Sequence, residues 1–87
     1  MEVKEKTVYF FKGAYCPICE QVLKEINAMK KDENVEVLPA EEHIFDIKEL
    51  TQSTNLPIIV WSKNGKTNVS SGLIDKKEIK KILHDVK

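Results

Sequence analysis

TVYFFKGAYCPICEQV, residues 7–22, holds a change of period that decides the fold. Thr7 to Phe11 is a short run of β-branched and aromatic residues, read as a buried strand that ends at Lys12-Gly13. From Pro17 onward the apolar positions Cys19, Val22, Leu23, Ile26 and Met29 recur at helical spacing, and Asn34, after the charged KKDE run, is read as the stop. A strand therefore feeds a helix through a short turn, and the chain's only two cysteines, Cys16 and Cys19, sit where the two meet.

The rest of the chain alternates in the same way. Val35 to Leu38 reads as a second strand closed by Pro39, which has no N–H for a ladder. Asp46 with Glu49 resembles a capping box, with Phe45 placed to staple onto Leu50, so a short second helix is predicted from Ile47 to Ser53. Leu56 to Trp61 is an unbroken apolar run, and Asn64-Gly65 supplies the positive φ angles of a tight hairpin before Thr67 to Ser71 returns. Asp75 with Glu78 opens a last helix whose Ile79, Ile82, Leu83 and Val86 form one stripe. The order is β-α-β-α-β-β-α. A crossover helix requires strands one and two to be parallel, and the hairpin makes strands three and four antiparallel.

Composition limits what such a chain can be. With 87 residues, 41% of them hydrophobic, one modest core and one domain, residues 1–87, are expected. No apolar run matches a signal peptide or a membrane span, which predicts a soluble, cytoplasmic protein. Fourteen acidic residues balance fourteen basic ones, so no overall field favours nucleic acid or an anionic membrane, and a monomer is expected. Every basic residue is lysine, which leaves no Arg to hold a carboxylate through two parallel hydrogen bonds.

Three readings of Cys16 and Cys19 compete. As a staple the pair would close too small a loop to constrain the unfolded chain by more than about 2 kcal/mol, and a cytosolic compartment would keep it reduced. As a zinc site it needs two further ligands, yet His43 and His84 fall outside paired zinc-finger spacing and read as solvated; a zinc or iron–sulfur site shared between two chains stays open. Thiol–disulfide exchange needs only what is local. Pro17 suits the first helical position, Cys16 is then the cap, and residues three apart on a helical turn lie roughly 5 Å apart at Cα, within disulfide reach. The helix N-terminus stabilises thiolate at Cys16, the expected nucleophile, while Cys19 on the apolar face is placed to resolve the mixed disulfide.

Across nearly all of its length the chain resembles the glutaredoxin branch of the thioredoxin superfamily. Cys16-Pro17-Ile18-Cys19 matches the dithiol motif, Leu56-Pro57 the cis-proline site opposite it, Glu49 to Pro57 the helix and turn leading there, and Ser71 to Asp75 the glycine-containing stretch before the last helix. The resemblance implies a thioredoxin-like, glutaredoxin-type three-layer α/β/α fold with a four-stranded mixed sheet. It also implies a thiol–disulfide oxidoreductase that carries electrons to disulfide-containing protein substrates, with no bound cofactor. Glutathione or a thioredoxin-reductase-type flavoenzyme would be the electron source. Tyr15, Pro17, Leu56, Pro57, Gly72 and Asp75 would line the substrate site, the Leu56 backbone pairing with the substrate strand, and Lys12 would be the first candidate for a carboxylate contact. Three positions depart from glutathione-using relatives: Gly13 stands where Lys or Arg is usual, Ile18 where Tyr is, and Ser71-Gly72 where a Gly pair is. Weak glutathione use follows. Ser71 to Asp75 also resembles redoxins that are reduced by thioredoxin reductase and serve ribonucleotide reductase, and Phe10 stands where thioredoxins proper carry a buried acid. Trp61 reads as core or rim packing, and Lys76, Lys77, Lys80 and Lys81 as a solvated helix face, with the steering of an acidic partner as the alternative.

Overall fold

The computed structural model describes residues 1–86. Strand β1 (Thr7–Lys12) leads into helix α1 (Pro17–Met29), then β2 (Asn34–Pro39), a 3₁₀ turn (Ala40–Glu42), α2 (Ile44–Leu50), β3 (Ile58–Lys63), β4 (Lys66–Ser71) and α3 (Lys76–Asp85). The sheet order is β2-β1-β3-β4, with β1 and β2 parallel and the other pairs antiparallel. Asn64 and Gly65, both at positive φ, make the β3–β4 turn, which is the geometry that a twisted hairpin demands.

Alternation along β1 builds two cores. Val8 and Phe10 face one side of the sheet, where Cys19, Val22 and Ile26 of α1 meet Ile79, Ile82 and Leu83 of α3 and Val86 just beyond it. Tyr9 and Phe11 face the other, against Ala40, Ile47, Ile58 and Val60. All four of these β1 side chains are buried because both faces of a central strand are covered. The result is three layers, α1 and α3 on one side and α2 on the other: a thioredoxin-like fold.

Several local expectations are corrected. Asn34 does not stop α1 but opens β2, since the helix has already ended at Met29 with Lys30 as its cap. Helix α2 begins at Ile44, not Ile47, and ends at Leu50 rather than Ser53. His43 is its N-cap residue, with no side-chain cap bond. Asp46 lies inside the first turn, its carboxylate bonded to His43 Nδ1 at 3.2 Å. The Phe45 staple does not form, for that ring is 82% exposed. His43 is not free in solvent either: its ring lies 5.5 Å from that of Phe11. The four lysines of α3 are exposed, as read. Trp61 is buried, with Nε1 donating to Asp85 Oδ2 at 3.4 Å while Lys63 Nζ approaches Asp85 Oδ1 at 3.1 Å. That contact ties the end of α3 to β3.

Candidate redox site

Cys16 takes an extended conformation (φ −135°, ψ 92°) and caps α1, with Pro17 at the first helical position. Its Sγ accepts a hydrogen bond from the Cys19 N–H at 3.2 Å. The two cysteines are joined as a disulfide with their Cα atoms 5.2 Å apart, the separation that one helical turn dictates. The partners are unequal: Cys16 is partly exposed, whereas Cys19 is 0% exposed and belongs to the core beneath α1.

Sheet register assembles the rest of the site. Phe11 pairs with Ile58, so continuing this antiparallel register by two residues sets Gly13 beside Leu56. A Cβ on Gly13 would stand 2.9 Å from Leu56 Cδ1 and 3.7 Å from Cys16 Cβ, which is why glycine suits that position. Ile58 pairs with Ser71, so Pro57 falls opposite Gly72, and the Gly72 N–H donates to the Pro57 carbonyl at 3.0 Å. The Leu56–Pro57 bond is cis and Gly72 sits at φ +81°. Ser71 Oγ donates to Ser53 Oγ at 2.9 Å, pinning the end of β4 to the loop before β3.

Around Cys16 these elements enclose an open groove of about 700 Å³. Tyr15, Cys16, Leu56 and Gly72 line it together. Pro57 is buried behind this wall, and Pro17 is exposed beside it. Lys12 and Asp75 do not line the groove. Lys12 is ion-paired with Glu20 of α1, and the Asp75 carboxylate caps α3 by accepting the Glu78 N–H at 2.9 Å. Residues not singled out from sequence as contacts also form the walls, Ile18, Asn55 and Leu73 among them. Leu73 carried a readable signal, an apolar residue between a turn glycine and a helix cap; it is 67% exposed, and Tyr15 is 99% exposed. Among the described residues, no charged side chain lines the groove.

The arrangement is suited to two-electron exchange at sulfur. Reduced, Cys16 would present its sulfur to the groove at a helix N-terminus and beside the Cys19 N–H donor, both of which favour thiolate. Among the described residues, no three His, Cys, Asp or Glu side chains gather as a metal-binding group, and no helix is long and apolar enough to cross a membrane.

No family model and no curated protein matches the chain. Solved structures do. A thioredoxin-like protein from Clostridium perfringens superposes with a TM-score of 0.65 at 26% identity, over 95% of this chain and 73% of that one. A malarial protein superposes with a TM-score of 0.68 over 92% and 94% of the two chains, at 13% identity, a likeness of fold alone. Architecture and comparison agree that this chain has the thioredoxin-like fold, with a Cys-X-X-Cys pair at the N-terminus of its first helix.

Proposed function

We propose that the protein is a dithiol thiol–disulfide oxidoreductase of glutaredoxin-like type, working in the reducing cytoplasm on the disulfides of other proteins. The observation that carries this reading is the unequal pair: a partly exposed Cys16 and a fully buried Cys19, bonded to each other at the mouth of an uncharged groove. In the reduced protein the Cys16 thiolate attacks one sulfur of the substrate disulfide. That S–S bond breaks, the departing sulfur takes a proton, and a mixed disulfide forms at Cys16. Cys19, deprotonated in its turn, attacks the Cys16 sulfur and expels the second substrate thiol. Two electrons have then passed to the substrate, and a reductase must return two electrons and two protons to the Cys16–Cys19 bond.

The groove favours a polypeptide over glutathione. Glutathione carries two carboxylates and an ammonium group at neutral pH, and burying charge without a partner is costly. Lys12 is held by Glu20, and the N-terminus of α3 already has the Asp75 carboxylate on it. Each missing charge-assisted hydrogen bond removes about 1.5–3 kcal/mol, roughly 10- to 150-fold in affinity. The exposed Tyr15, Ile18 and Leu73 instead offer apolar contact to a protein surface. A thioredoxin-reductase-type flavoenzyme is therefore the proposed electron source.

An NADPH-coupled assay tests this by comparing glutathione plus glutathione reductase with such a flavoenzyme. Faster saturable turnover with the flavoenzyme is the expected result. Efficient turnover with millimolar glutathione and none with the flavoenzyme would overturn the assignment of reductant; no disulfide reduction from either source would overturn the oxidoreductase itself.

A further inference from the structure

A second cavity, about 550 Å³, opens between α2 and the loop that precedes β3. Ala40, Ile47 and Ile58 form its buried floor, and Ile44 and Gln52 stand exposed at its mouth. Its size falls in the range of ligand sites, roughly 300–1,000 Å³. Leu56 and Thr54 line both this cavity and the groove at Cys16, so the two openings adjoin along these residues.

We propose that this cavity receives the apolar side chain of a residue next to the reacting cysteine of the disulfide-bearing polypeptide, and thereby selects which protein disulfides are reduced. The inference rests on the oxidoreductase reading above and adds the substrate class. Continuity with the redox groove identifies the occupant. Among the described residues, the Leu56 N–H and C=O have no hydrogen-bond partner, so an extended strand can pair there. Such a strand advances about 3.3 Å per residue with alternating side chains. With the reacting cysteine turned toward Cys16 on the α1 side of the sheet, the side chain next to it points to the α2 side, over Leu56 toward the cavity. The charged residues of the lining, Glu41 and Lys48, have opposite signs, so no net field recruits an ion. Desolvating a charged side chain against Ala40, Ile47 and Ile58 would be unfavourable, whereas a Leu, Met or Phe side chain gains by burial.

Two disulfide peptides test this, identical except for Leu or Ser at the residue next to the reacting cysteine, with 2-hydroxyethyl disulfide as a substrate too small to reach the cavity. The wild-type protein should reduce the Leu peptide with a kcat/KM about tenfold or more above that of the Ser peptide, the difference lying in KM. Ile44→Glu, at an exposed first helical position where a carboxylate suits the helix dipole, should shrink that ratio to about threefold or less. Gln52→Trp, which overhangs the same mouth, should do likewise if Ile44→Glu folds poorly. Equal kcat/KM for both peptides in the wild type, or a ratio untouched by both variants, overturns the inference. Failure to reduce even 2-hydroxyethyl disulfide would instead refute the oxidoreductase reading. The cavity is then judged by binding alone, with Cys→Ser versions of the peptides: amide shifts at Ala40, Ile44 and Thr51 with the Leu peptide only would uphold it, and no shifts would overturn it.

Discussion

Replacing Gly13 by Ala separates the shape of the groove from the stability of the fold. The new methyl would lie 2.9 Å from Leu56 Cδ1, whereas carbon atoms rest at about 3.5–4.0 Å. Leu56 must retreat by at least about 0.6 Å to reach that spacing. Overpacking in a rigid core costs about 1–3 kcal/mol, but here the clashing atom is the free end of a half-buried side chain, which puts the cost near the lower limit, about 1 kcal/mol. Against it stands a gain of about 0.4–1 kcal/mol from a stiffer unfolded chain, since Gly13 has no positive φ that Ala would resist. Net stability should change by less than about 1 kcal/mol, a shift in Tm of no more than roughly 4–8 °C. The displaced Leu56 lines both the groove and the α2 cavity, so kcat/KM for a peptide disulfide should fall several-fold while 2-hydroxyethyl disulfide is little affected. Thermal melts and steady-state kinetics on Gly13→Ala, Leu56→Ala and the double variant would show it. Trimming Leu56 removes the clash, so the two changes should be non-additive in kcat/KM. Strict additivity, or a large loss of Tm with unchanged kinetics, would refute the proposed packing of Gly13 against Leu56.

Three further outcomes follow from named contacts. Asp75→Ala removes the carboxylate that caps α3 and should cost about 1 kcal/mol, read as a fall in Tm of roughly 4–8 °C. Asp85→Ala strips the acceptor from the buried Trp61 Nε1 and the partner from Lys63; about 1–3 kcal/mol should be lost, followed by Trp61 fluorescence in denaturant, with Asp85→Asn milder because it keeps an acceptor. The hydrogen bond from His43, with help from the N-terminal ammonium and against some desolvation, holds the Asp46 carboxyl below its ordinary value of 3.8. A depressed native pKa stabilises the fold above the unfolded value and loses that effect as pH falls through the native one, so denaturant midpoints of wild type and Asp46→Asn should differ at pH 6 and converge as pH drops below about 3.9.

The legible parts of this fold were those encoded within a few residues. Pro17 after Cys16 marked the start of α1, Asn64-Gly65 marked the hairpin, and the Ile79-Ile82-Leu83-Val86 stripe marked the buried side of α3. Helix α2 was misjudged because Asp46 and Glu49 offered a capping box in sequence, while the chain instead passes through the turn at Ala40–Glu42 straight into a helix capped by the His43 backbone. Once Ile47 and Leu50 face the sheet, Phe45, two residues before Ile47, lies about 200° away around the helix and cannot staple. The cysteine pair was legible from spacing alone. Its surroundings were not, because Gly13 meets Leu56 and Gly72 meets Pro57 only through the pairing of β1, β3 and β4. The Lys12–Glu20 ion pair likewise depends on where β1 hands over to α1. The cavity under α2 has no linear signature.

The most direct test of the central claim is the intact mass of single-cysteine variants after exposure to a disulfide peptide. Cys19→Ser, whose remaining Cys16 sulfur faces the groove, should accumulate one mixed-disulfide adduct, located at Cys16 by peptide mapping and released by reductant, while Cys16→Ser stays at its unmodified mass. An adduct on Cys19 in Cys16→Ser with none on Cys16 in Cys19→Ser would contradict the assigned division of labour, and no adduct on either would contradict the exchange chemistry itself.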